Sequence, residues 1–119
     1  MMIKKTNTKK ASYNTDGSPR IDASEIGLLP NFKLKKITSV CKTLGDPIRL
    51  QMLHLLLQKD DICTCEFQDI LDLKQSAVSY HTKLLLNSGL IKMQHQGPWS
   101  HYFLVDKDLV QEIFNSLFV

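Results

Sequence analysis

The sequence predicts a mainly α domain with a small β-hairpin, and three observations carry that prediction. Apolar residues recur at three- and four-residue spacing from Leu34 to Leu85 and again from Leu109 to Leu117. Leu90 to Gln94 reads as a strand, Gln96-Gly97-Pro98 as a turn, and Trp99 to Val105 alternates as the second strand of a hairpin. The stretch from Gln75 to Asn87 sets apolar Val78, Leu84 and Leu85 against hydrogen-bond donors and contains no carboxylate, a pattern that suits a polyanion.

The elements follow in order. Residues 1–20 are rich in Lys, Thr and Asn, lack an apolar face and are expected to be a disordered basic arm; residues 21–119 are expected to form one domain. Asp22 or Ser24 could cap a short helix through Ile26, Leu28 and Leu29, ended by Pro30. Leu34, Ile37, Val40, Cys41 and Leu44 then define a helix from about Phe32 to Leu44, which Gly45 closes. Asp46-Pro47 is a restart signal, a capping carboxylate followed by proline at the first helical position. The helix it opens runs to about Gln58 and is apolar nearly all round, so it belongs in the core. Asp60 and Asp61 offer caps for a short helix from about Cys63 to Leu71, and Asp72-Leu73-Lys74 is a turn. The donor-rich helix follows and ends at Asn87-Ser88-Gly89. A two-stranded hairpin and a last helix from Asp106, with Leu109, Val110, Ile113, Phe114 and Leu117 on one face, complete the chain.

A short helix, a three-residue turn, a donor-rich helix and then a hairpin make a winged helix-turn-helix. The first and last helices carry more apolar surface than a three-helix core needs, and one reading helix contacts few bases. The domain is therefore expected to be homodimeric.

Composition narrows the function classes. A hydrophobic content of 43% in 119 residues is ordinary for one globular domain, and no apolar run approaches a membrane span. The N-terminus lacks the apolar core of a secretory signal, so a cytoplasmic location and no membrane partner are expected. The net charge of +3 resides in residues 1–22, because the remainder is balanced. Within that remainder no acid occurs between Asp72 and Asp106, while Lys74, Lys83 and Lys92 do. No nucleophile–base set, paired carboxylates or phosphate-binding glycine loop is recognisable, so an enzyme is not expected.

The DNA-binding candidates are Lys74, Gln75, Ser76, Ser79, Tyr80, His81 and Lys83 on or beside the reading helix, and Lys92, His95 and Gln96 on the hairpin. Gln pairs with adenine, Ser is a tolerant contact, and the basic groups meet phosphate. Trp99 is expected to pack the hairpin on the core, Tyr80 to be half buried, and His95 and His101 to be solvated. The metal candidates are Cys63 and Cys65, with Cys41 a weaker third. Thiolates are soft ligands, and the start of a helix favours thiolate. On a regular helix the pair lies about 200° apart, so chelation would unwind that turn and shift the reading helix.

Four segments together resemble the ArsR/SmtB family of metal-responsive repressors: Leu44-Gly45-Asp46-Pro47-Ile48-Arg49-Leu50, Ile62-Cys63-Thr64-Cys65-Glu66, Gln75 to His81, and Gly97 to Tyr102. The resemblance spans about Val40 to Asp106 and lies closest to the arsenical-resistance repressors. It implies a dimer that leaves double-stranded operator DNA when a metal or metalloid binds, with no permanent cofactor. It also separates the candidate inducers. Arsenite-responsive members have a third cysteine where this chain has Gln68, and Cd/Pb members use arm cysteines that this chain lacks. The family's dimer-interface site on the last helix fails at Asp106-Lys107-Asp108, which lacks the histidine. Two thiolates and one exogenous ligand suit As(III) or Sb(III) better than Cd(II), Pb(II) or Zn(II). A thiol redox or reactive-sulfur switch on the same fold is the alternative from another chemical class.

Overall fold

The computed structural model describes residues 13–117. The chain divides at Pro30 into two units. In the first, Tyr13 bridges to Pro19 around a turn in which the Asp16 carboxylate accepts from the Ser18 amide (2.9 Å). The helix expected after Asp22 does not form. Asp22 closes a single turn through Ser24 and Glu25, and Ile26, Leu28 and Leu29 stay exposed in irregular backbone. So short a segment gains too little from its few backbone hydrogen bonds to hold a helix. Residues 1–12 of the expected arm lie outside the described residues.

The second unit runs α1 (Asn31–Leu44), α2 (Pro47–Gln58), β1 (Ile62–Cys63), α3 (Thr64–Leu71), α4 (Gln75–Ser88), β2 (Ile91–Gln96), β3 (Trp99–Leu104) and α5 (Lys107–Leu117). Asp46 caps α2 by accepting from the amides of Ile48 (2.8 Å) and Arg49 (3.2 Å), with Pro47 behind it where no amide is needed. A left-handed Asp72 ends α3, and the Leu73 amide returns to the Gln68 carbonyl at 3.1 Å. Gly89, at φ 80°, ends α4. Gly97, at φ 63°, is the first residue of the two-residue turn between paired Gln96 and Trp99.

The sheet differs from the expected two-stranded hairpin. It has three antiparallel strands in the order β1-β3-β2, with Ile62 opposite Tyr102 and Cys63 opposite His101. Residues 62–63 were expected to lie at the start of a helix or just before one, and two residues are too few to show alternation in the sequence. The core gathers Met52, Leu53 and Leu56 of α2 with Phe67 of α3, Val78 and Leu85 of α4, and Ile62, Ile91 and Tyr102 of the sheet. Phe67 lies 6.0 Å from the Tyr102 ring, centroid to centroid, which locks α3 onto β3.

Candidate nucleic-acid interface and thiol pair

One edge of α4 is free. Gln75, Ser76, Ser79, Tyr80 and Lys83 are exposed at three- and four-residue spacing, with Lys74 just before the helix. The opposite edge buries Val78, Thr82, Leu85 and Ser88. The buried hydroxyls donate within the helix, Thr82 to the Val78 carbonyl (2.9 Å) and Ser88 to the Leu85 carbonyl (2.8 Å). Both thus satisfy their own donors at no cost to the packing. Tyr80, expected to be half buried, is 61% exposed.

His81 departs from its expected place among the DNA-facing donors. It is only 8% exposed, and its Nδ1 lies 3.0 Å from the Arg49 guanidinium. Guanidinium is a donor, so Nδ1 is the acceptor and the ring faces α2 rather than solvent. Arg49 also donates from Nε to the Thr43 carbonyl at 2.7 Å, so one side chain ties the end of α1 and the start of α2 to mid-α4. Residue-by-residue reading missed Arg49. Its one signal is a lone cation in an otherwise neutral, leucine-rich helix. At the far end of α4, Lys36 donates to the Ser88 carbonyl (3.0 Å) and holds the helix from α1.

In the hairpin, every residue from Lys92 to Trp99 is exposed, so Lys92, His95 and Gln96 project from the body of the unit. Trp99 was expected to pack against the core and is instead 53% exposed beside the turn. The residue that anchors the hairpin is Tyr102. The free edge of α4 and the protruding hairpin together carry no carboxylate.

Cys63 and Cys65 flank the entry to α3. Cys63 is half-buried in extended backbone (φ −90°, ψ 166°) as the last residue of β1 and the cap of α3, and Cys65 is exposed in the first helical turn. The expectation that both sit on a regular helix is therefore corrected. The strand pairing keeps Cys63 out of the helix, so the half-turn separation of a regular helix does not apply. The expectation of a favoured thiolate is also corrected for Cys63: burial pushes its thiol above the usual range, and the neighbouring Glu66 carboxylate adds to that. Glu66 accepts from the Cys63 amide (3.1 Å) and pairs with Lys59, and these contacts bring its carboxyl down to about 2.

His101, expected to be solvated, is 19% exposed at its side chain, and its Nδ1 lies 2.6 Å from the Asp61 carboxylate. Cys41 lies exposed on α1. Among the described residues, no three His, Cys, Asp or Glu side chains are gathered closely enough to hold a metal ion.

Residues 46–93 match the family model described as "Bacterial regulatory protein, arsR family". The chain is 37% identical over 81 residues to an uncharacterized HTH-type transcriptional regulator of Methanocaldococcus jannaschii, an alignment covering 68% of this chain and 90% of the relative. It is 37% identical over 76 residues to an arsenical resistance operon repressor of Bacillus subtilis, covering 64% and 72% of the two chains. Among solved structures, a homodimeric winged helix-turn-helix DNA-binding domain from Mycobacterium bovis superposes with a TM-score of 0.65 at 20% identity, over 76% of this chain and 86% of the other. At that identity the likeness establishes the winged helix-turn-helix fold.

Proposed function

The chain belongs to the arsR family of bacterial regulatory proteins, and on that footing we propose that it is a homodimeric repressor that leaves its operator when a thiophilic ion binds Cys63 and Cys65. One observation carries the reading: the two thiols flank the entry of α3, and only the turn at Asp72 separates α3 from the acid-free free edge of α4. In this reading Gln75, Ser76 and Ser79 meet base edges, while Lys74, Lys83 and Lys92 meet phosphate. Tyr80, His95 and Gln96 flank them.

Chelation draws Cys63 and Cys65 together at the strand-to-helix junction. It re-aims α3, and with it α4. A coupling of about 1–3 kcal/mol, typical of linked sites, would lower operator affinity roughly 5- to 150-fold. The donor set fits the ion class, since the two thiols, one half-buried and one exposed, are soft ligands once deprotonated and suit thiophilic ions. With two thiolates and an exogenous ligand, As(III) or Sb(III) is the first candidate. A divalent Cd(II), Pb(II) or Zn(II) inducer is the second reading, and the imidazole opposite Cys63 favours it.

The test is operator release by arsenite and by Cd(II) under reducing conditions, in the wild type and in Cys63→Ser, Cys65→Ser and Cys41→Ser. Release is expected to disappear in the first two variants and to persist in the third. Undiminished release in both Cys63→Ser and Cys65→Ser would sink the assignment. Release by oxidant alone would point to a redox switch.

A further inference from the structure

The pairing of β1 with β3 gives Cys63 a neighbour that the cysteine motif itself does not contain. Directly opposed residues of antiparallel strands lie on one face of the sheet, with Cβ atoms about 4.5–5.5 Å apart. Cys63 and His101 are such a pair. The His101 ring is also oriented. A carboxylate can only accept, so at 2.6 Å from Asp61 the Nδ1 atom must carry the proton. In the neutral ring that leaves the Nε2 lone pair available on the other edge. A histidine that gives one N–H to a carboxylate and keeps the other nitrogen free is arranged as metal-binding histidines are.

We propose that His101 is the third protein donor of the ion site, making it a Cys63–Cys65–His101 site for a borderline-to-soft divalent cation such as Cd(II) or Zn(II). The inference rests on the cysteine pair being the input, and it supplies the donor that the divalent reading of that input needs. The neighbouring carboxylates are less free to serve. One Glu66 oxygen accepts from the Cys63 amide and the other is taken by Lys59, while one Asp61 oxygen is held by His101.

On binding, the Cys63 and Cys65 thiols release their protons to solvent, and His101 contributes the Nε2 pair while Nδ1 keeps its proton for Asp61. Solvent would complete the coordination. No electron is transferred. Because the three donors are not gathered beforehand, the ion has to draw Cys65 and α3 toward β3. The same pull reaches the protruding hairpin through β3, so both parts of the DNA-facing surface move together.

The test uses the full-length protein under reducing conditions, with ¹¹³Cd NMR and competitive Cd(II) titration as readouts. The wild type is expected to give a resonance of mixed sulfur and nitrogen ligation. His101→Gln keeps a donor for Asp61, so it should fold as the wild type does by circular dichroism. It should shift the resonance and weaken Cd(II) by more than the roughly 10–100-fold that loss of a supporting carboxylate costs, the effect expected of Asp61→Asn. Arsenite affinity should be unchanged in His101→Gln. An unchanged resonance and Cd(II) affinity in His101→Gln would overturn the proposal while leaving the cysteine pair in place. An equal loss of arsenite and Cd(II) would also overturn it, because His101 would then be acting through the fold. Unchanged Cd(II) binding in Cys63→Ser and Cys65→Ser would remove the pair itself.

Discussion

Glu66 is the side chain with the most to lose in acid. Its carboxyl, held to about 2 first by the Lys59 ammonium and then by the Cys63 amide, is ionised in the fold well below the ordinary 4.5. A depressed carboxyl stabilises the native state above its unfolded value, and that contribution is lost as pH falls through the folded value. Stability should therefore decline between about pH 4.5 and 2, and Glu66→Gln should flatten that part of the profile, measured by urea midpoints against pH. The pair is exposed, so the effect is small and weakens in salt. Residues were also where sequence reading reached least far. Cys63 and Cys65 were legible as a pair at the start of α3, but Cys63 leaves the helix because Ile62 pairs with Tyr102, far along the chain. His81 has the composition of a surface donor and becomes buried through Arg49, which is 32 residues away. Nothing local signals the first contact, and only the lone cation in α2 hints at the second.

At the scale of elements, the joints were the most legible part. Asp46-Pro47 starts α2 where capping chemistry requires, and the end of α4 falls at Gly89. Gly89 combines a left-handed φ of 80° with a close approach: a Cβ there would stand 3.1 Å from Lys36 Nζ, which holds the last turn of α4. The lysine can step aside, but the backbone strain remains. Gly89→Ala should therefore cost about 1–2 kcal/mol. Each kcal/mol should lower Tm by roughly 4–8 °C in a domain of this size, measured by thermal denaturation. The third strand was illegible for a physical reason. A two-residue strand has no period of its own, and its partner lies beyond two intervening helices. The absent helix after Asp22 shows the converse, a cap signal and apolar residues in a segment too short to hold a helix.

For the molecule as a whole, the unspent surface is apolar. On α5, Val110 is buried and Phe114 partly so, whereas Leu109 and Leu117 on the neighbouring edge stay exposed. Phe32 and Ile37 are exposed on α1. An isolated protomer thus leaves apolar side chains in water on the two helices from which the sequence predicts self-association. A second copy is the proposed cover. Light scattering should report a dimer at micromolar concentration. Leu109→Glu should shift it toward monomer and weaken operator binding, with far-UV circular dichroism unchanged. A dimeric Leu109→Glu protein would move the interface elsewhere.

The closure of β1 on β3 also orders events in time. Asp61 and His101 are forty residues apart, and the loop between them contains α3, α4 and β2. Closing that loop is easier once the helices within it have shortened the gap, so β1–β3 pairing is expected to follow formation of α3 and α4. A chain still emerging from synthesis, with α3 made and β3 not yet made, has both cysteines but no opposing histidine. The thiol and the imidazole therefore come to stand side by side only once β3 has been made and paired with β1.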